Sequence, residues 1–182
     1  MLDTLQFQDL STPGCFWLAS TLENKAAAFA LARSPALSAQ LESIPQGIFT
    51  IVGETTGWQS VAAGVGRPTR PGYGFTSMIT IKSGSGVQQG FEQTMREVIA
   101  QFERHGRGLQ SIALSRLAGG TTQYVFYLHF DRSADCVATL NDPAIAQLGK
   151  DDPAGPYLAA PYEIVLSDVV RVAVGQAAAV AR

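Results

Sequence analysis

The residues best spaced to do chemistry in this 182-residue chain lie on one stretch, YVFYLHF at positions 124–130. Alternate residues of a strand share a face. Tyr127 and His129 therefore stand together with Val125, while Tyr124, Phe126, Leu128 and Phe130 face the other way. A histidine changes charge near neutral pH and can take the proton of a phenol. His129 is the candidate catalytic residue, and Tyr127, Trp17 and Arg116 are the candidate substrate-binding residues. Trp17 enters through an internal repeat described below. Arg116 sits near the end of its strand, where it could hold a substrate oxyanion or pair with an acid, solvation at the surface being the plainer reading. The bland alternative is that the aromatic residues are core and His129 is a structural strand residue.

Other chemistries find less support. Gly84-Ser85-Gly86-Val87-Gln88-Gln89-Gly90 follows a strand and opens a helix, as a dinucleotide fingerprint does. It reads GxGxxxG, however, and the next strand, 111–117, leads into a hairpin with no acid at its end. Ser85 is read as a helix cap and nucleotide binding is not expected. There is no GxSxG for a serine hydrolase and no visible carboxylate pair for glycoside hydrolysis. The two histidines are too far apart in sequence to build a metal site from, so neither metal nor cofactor is expected.

Composition narrows the partners. Net charge is −2, and the basic residues are scattered, so no field exists to hold nucleic acid or an anionic membrane. No apolar run approaches the ~20 residues of a membrane helix. The start, Met1-Leu2-Asp3, has no secretory pattern. Cys15 and Cys136 lack metal-binding spacing, which makes a cytoplasmic protein with reduced thiols the expectation. Apolar residues are 46% and charged residues 15%, so much apolar surface needs covering, by packing of two halves or by a second copy in a homodimer.

The elements that must position these residues read as follows. Short strands are expected at 3–10, 15–19, 48–52 and 58–65, with an alanine-rich helical stretch between, interrupted at Pro35. Four glycines and two prolines in GVGRPTRPGYG (64–74) mark a boundary. Then come a strand at 78–82 and a helix whose apolar residues Val87, Phe91, Met95, Val98 and Phe102 keep one stripe on a 3.6-residue repeat. A hairpin joins 111–117 to 122–130 across Gly119-Gly120. Ser133 is the expected cap of a helix broken near Pro143, and 162–174 is the last strand. Because strand 124–130 is apolar or aromatic on both faces, both faces of the sheet must be buried.

The halves resemble each other. Phe16-Trp17-Leu18 matches Phe126-Tyr127-Leu128, which sets Trp17 equivalent to Tyr127, and Ser34-Pro35-Ala36-Leu37 matches Asp142-Pro143-Ala144-Ile145. The expected organisation is a truncated N-terminal ferredoxin-like repeat at 1–66, a linker at 67–74, a complete repeat at 75–175 and a tail at 176–182. The complete repeat has the order βαββαβ. The expected fold is α+β: antiparallel sheets packed face to face as an α+β barrel, helices outside.

The element order across 75–174, the helix GVQQGFEQTMREVIAQFERHG and the stretch YVFYLHFDRSADCVATLNDPAIAQL resemble the dimeric α+β barrel superfamily, and within it the antibiotic-biosynthesis-monooxygenase-like domains. The motif is mostly hydrophobic pattern, so it speaks for fold more than activity. The resemblance implies binding of a small aromatic or quinone-like molecule, with oxidation that needs neither metal nor flavin. Haem, held in other branches by a histidine of the helical layer, is not expected, since 21–43 and 133–149 contain none. The alternative is a non-catalytic barrel of the same fold that binds a ligand or assembles.

Overall fold

A computed structural model gives the architecture. The structure describes residues 3–11, 16–21, 35, 58–66, 68–117 and 120–174. The helical stretch and strand expected between 21 and 57 lie almost wholly outside the described residues, as does Cys15.

The described elements are β1 (Asp3–Asp9), β2 (Phe16–Thr21), β3 (Trp58–Gly64), β4 (Gly72–Thr80), α1 (Val87–His105), β5 (Leu109–Leu117), β6 (Gln123–Phe130), α2 (Ser133–Leu140), α3 (Pro143–Asp151), a 3-10 turn (Gly155–Tyr157) and β7 (Glu163–Val174). The strands form one antiparallel sheet in the order β2-β1-β7-β4-β6-β5-β3. Its centre, β7-β4-β6-β5, is the βαββαβ unit read from the sequence, each pair antiparallel. The N-terminal strands extend both edges: β3 adds to β5, and β1 with β2 adds to β7. The described strands of the two halves thus run on in one continuous sheet.

Helix α1 buries Phe91, Met95, Ile99 and Phe102 on that sheet, with Val87 and Val98 packed at the margin of the core. Each fully buried apolar side chain contributes roughly 1.5–3 kcal/mol, so this stripe is a main tie between the layers. The expected cap is corrected: Gly86, at φ +80°, takes the N-cap position, and Ser85 makes no capping bond. The left-handed turn that glycine permits already sets the helix entry. Helix α2 begins at Ser133 itself. Asp142 does the capping that keeps α3 separate, its carboxylate accepting from the Ala144 N–H at 2.9 Å with Pro143 in the first turn.

Strand β4 begins earlier than 78–82, at Gly72, inside the stretch read as a linker. Both sheet faces are buried at the centre, as the pattern of β6 required. Tyr124, Phe126, Leu128 and Phe130 face the helices, while His129, Thr76, Ser167 and Val169 are covered on the other side. Among the described residues no helix is long and apolar enough to cross a membrane.

Candidate functional site

His129 and Tyr127 do stand together on the sheet face turned away from the helices, with ring centroids 6.2 Å apart. His129 is fully buried, and neither ring nitrogen has a hydrogen-bond partner among the described residues. Burial lowers its pKa to about 4, opposed by the carboxylate of Asp131 and assisted by Arg70, so the ring is neutral at pH 7. Burial pushes the Tyr127 phenol up, and it stays protonated.

The register explains why the face is shaped as it is. Gly74 of β4 pairs with His129 on one side and Ser167 on the other, and Ser111 pairs with His129 from β5. Partners in register point to the same face, so these residues form a row across the sheet. Thr76 stands in the next row, paired with Tyr127 and Val165. A side chain at Gly74 would stand 2.7 Å from Ser167 Oγ and 3.4 Å from the Tyr127 ring. One at Gly72 would meet the Phe130 carbonyl oxygen and lie 2.8 Å from His129 Nε2. The two glycines therefore leave a bare strip of backbone into which the neighbouring side chains lean. Ser167 and Thr76, like His129, are buried with side-chain oxygens unpartnered among the described residues.

Polar contacts close the end of this row nearest His129. The Gln110 side chain accepts from the Thr69 N–H at 3.3 Å and donates to the Pro71 carbonyl at 3.5 Å. Arg70 donates to Asp131 through Nε at 3.0 Å and Nη2 at 2.6 Å.

The other two candidates lie elsewhere. Trp17 is on β2, the outermost strand, with its backbone opposite Phe7. Four strand spacings separate β2 from β6, about 19 Å along the sheet at ~4.8 Å per strand. Arg116 pairs in register with Tyr124 and so projects to the helix side, opposite His129. It is not the solvated surface residue of the plainer reading but pairs with an acid: Nη1 lies 3.0 Å from Glu92 Oε1, and Nη2 donates to Gln59 at 3.2 Å. Tyr124 donates to the same Glu92 oxygen at 2.9 Å. Arg116 is therefore a strut between α1 and the sheet and no part of the His129 face.

Among the described residues no group of three or more histidine, cysteine or acidic side chains could hold a metal ion. Cys136 is a buried free thiol pushed up to about 11 by desolvation, which leaves it a poor nucleophile. A cavity of about 140 Å³ between α1 and α3 has Thr94, Glu97 and Gln101 on one wall and Leu148 and Pro153 opposite, without a histidine.

No protein-family model matches the sequence, and no curated protein matches it. Solved structures do match in fold. A putative monooxygenase from Fusobacterium nucleatum superposes with a TM-score of 0.69 at 10% identity, over 95% of this chain and 77% of that one. A putative monooxygenase from Lactobacillus acidophilus gives 0.65 at 8% identity, over 95% and 79%. A major regulator of staphylococcal pathogenesis gives 0.58 at 14% identity, over 93% and 86%. The chain thus has the ferredoxin-like α+β fold of monooxygenase-like proteins. At these identities the likeness concerns the fold alone, and activity has to be argued from residues.

Proposed function

We propose that this protein binds a small aromatic or quinone-like molecule on the His129 face and oxidises it with molecular oxygen, without a cofactor. One observation carries the reading: a fully buried histidine with both ring nitrogens unpartnered among the described residues, beside a tyrosine ring. Buried polar groups are normally satisfied, and each that is not costs about 1–3 kcal/mol. A bound hydroxyl or carbonyl would meet that need.

In the proposed reaction a phenol lies against Tyr127 and gives its proton to His129. The anion passes electrons to oxygen, a carbon–oxygen bond forms at the ring carbon para to the hydroxyl, and loss of water leaves the quinone. Phenol and one oxygen molecule thus become quinone and water, and His129 returns the proton. Tyr127, held protonated, can donate a hydrogen bond to the developing anion.

A second reading rests on the same burial. With a pKa near 4, His129 is a weak base in the unliganded protein, which suits a non-catalytic barrel that binds the same ligand by hydrogen bonding. An oxygen electrode separates the two. Catalysis requires oxygen uptake with a phenolic substrate that vanishes in His129→Ala while the circular dichroism spectrum stays unchanged. Binding by calorimetry with no oxygen uptake in the native protein selects the non-catalytic reading. Uptake that survives His129→Ala removes the histidine from the mechanism.

A further inference from the structure

His129 has no surface within reach of solvent. A molecule can touch its ring only after some part of the protein moves, and the cover is thin at the start of β4. A Cβ at Gly72 would stand 2.8 Å from His129 Nε2 and 3.2 Å from the side-chain nitrogen of Gln110. Gly72 is itself half-buried, and Thr69, Arg70 and Pro71 before it are exposed. One residue of backbone thus stands between the imidazole edge and water.

The sequence of this cover suits a moving part. Pro68 and Pro71 fix φ and stiffen the four residues 68–71, while Gly66 and Gly72 flank them with permissive backbone. Gly66 takes φ +124°, and Val65 before it sits at φ +65°, a costly conformation for a β-branched residue. The Val65 N–H donates to Glu103 Oε1 at 3.0 Å, which anchors that end to α1. The other fastenings are weak ones. The Arg70 side chain is 64% exposed, so its pair with Asp131 is largely screened by water. Gln110 takes the Thr69 N–H at 3.3 Å and reaches the Pro71 carbonyl at 3.5 Å, both long for hydrogen bonds. Segments held this way open locally while the fold stays intact.

We infer that residues 68–71 form a strap that swings on Gly66 and Gly72, latched by Arg70 on Asp131 and by Gln110, and that its opening admits small molecules to His129. This rests on the reading of His129 as the reactive group and adds how that group is reached. Opening also changes the base. Burial lowers the basicity of His129 most, Arg70 lowers it further and Asp131 raises it. Asp131 stays at the end of β6, its N–H donating to the Gly108 carbonyl at 2.7 Å, whereas Arg70 leaves with the strap. The histidine is therefore a stronger base with the strap open than with it closed.

Diethyl pyrocarbonate, which acylates neutral imidazole, reads the opening slightly above neutral pH, where His129 is uncharged in either state. Peptide mass spectrometry separates it from His105, whose side chain is 36% exposed and serves as the reference in the same chain. The expected result is that His129 is labelled more slowly than His105. Arg70→Ala should speed His129 labelling about threefold, an exposed ion pair's worth, and adding Gln110→Ala should bring the gain to about tenfold. Arg116→Met, which loosens the opposite side of the sheet, should leave the rate unchanged, as should urea below the unfolding transition, because a local opening exposes little surface. Equal acceleration by Arg116→Met, or a steep rise with urea, makes global unfolding the route and overturns the strap. A His129 rate that ignores both strap substitutions overturns it too, and oxygen uptake in that case leaves the His129 reading standing with its entrance elsewhere. Labelling that follows the strap in a chain without oxygen uptake keeps the strap and removes the oxidation.

Discussion

At the scale of single residues, His129 shows what burial does to a titratable group. Its folded pKa of about 4 lies below the ordinary 6.5. Below pH 6.5 the unfolded chain binds a proton that the folded chain refuses, so stability falls as the pH drops from 6.5 through 4 and is fully present above 6.5. The displacement corresponds to roughly 3 kcal/mol at most. Carboxylates titrate in the same window, so the informative quantity is the difference from a variant without the group. Urea unfolding of His129→Gln at several pH values should show a shallower loss between pH 6.5 and 4 than the native protein. Parallel slopes would mean that His129 takes up its proton in the fold as readily as in the unfolded chain, and the lowering of its pKa by burial would be disproved. Tyr127 and His129 were legible in the sequence as one face, because strand alternation is a local rule. Ser167 and Thr76 were not. A serine in IVLSDVV or a threonine in FTSMI reads as an ordinary polar position, and only the pairing of both neighbours to β4 brings them to His129.

At the scale of elements, the contact between α1 and the sheet turns on one carboxylate. Glu92 Oε1 takes hydrogen bonds from Gln88, Arg116 and Tyr124, and its side chain is only 15% exposed. Glu92→Ala would strand a buried tyrosine hydroxyl and a largely covered guanidinium, at a cost of about 3 kcal/mol in urea unfolding. Arg116→Met, which leaves Glu92 its other two donors, should cost less than Glu92→Ala. Ligand affinity should be unchanged in Arg116→Met, since the strut and the His129 face lie on opposite sides of the sheet; a loss of affinity would return Arg116 to the site. The amphipathic stripe of α1 and the aromatic strand β6 were readable because periodicity survives in any context. Gly72 and Gly74 were read as linker for the opposite reason. Glycine lowers strand propensity on its own, and its place inside β4 comes from the side chains of β6 and β7 that fill the space above it. Local similarity alone set Trp17 equivalent to Tyr127, whereas sheet order, a long-range property, sets β2 at the edge and β6 near the centre.

At the scale of the whole molecule, the described helices stop short of β7. The described helices lie over β3, β4, β5 and β6, and the helix-side face of β7 presents Ile164, Leu166 and Val170, which are 54%, 39% and 41% exposed. Val137 and Leu140 are also exposed on α2, which packs on β4, the strand next to β7. We propose that the homodimer expected from the high apolar fraction uses this surface, a second copy covering the first. A specific interface needs about 800 Å² from each partner, and five partly exposed side chains supply only part of that. Sedimentation velocity should show the weight-average coefficient rising across the micromolar range, and Leu166→Lys, which sets a charge in the middle of the stripe, should hold the protein monomeric without altering its unfolding transition. A native chain that sediments as a monomer throughout that range leaves the stripe uncovered by its own kind. A dimer that persists unchanged in Leu166→Lys locates the contact on another surface, and the exposed face of β7 then has no part in it.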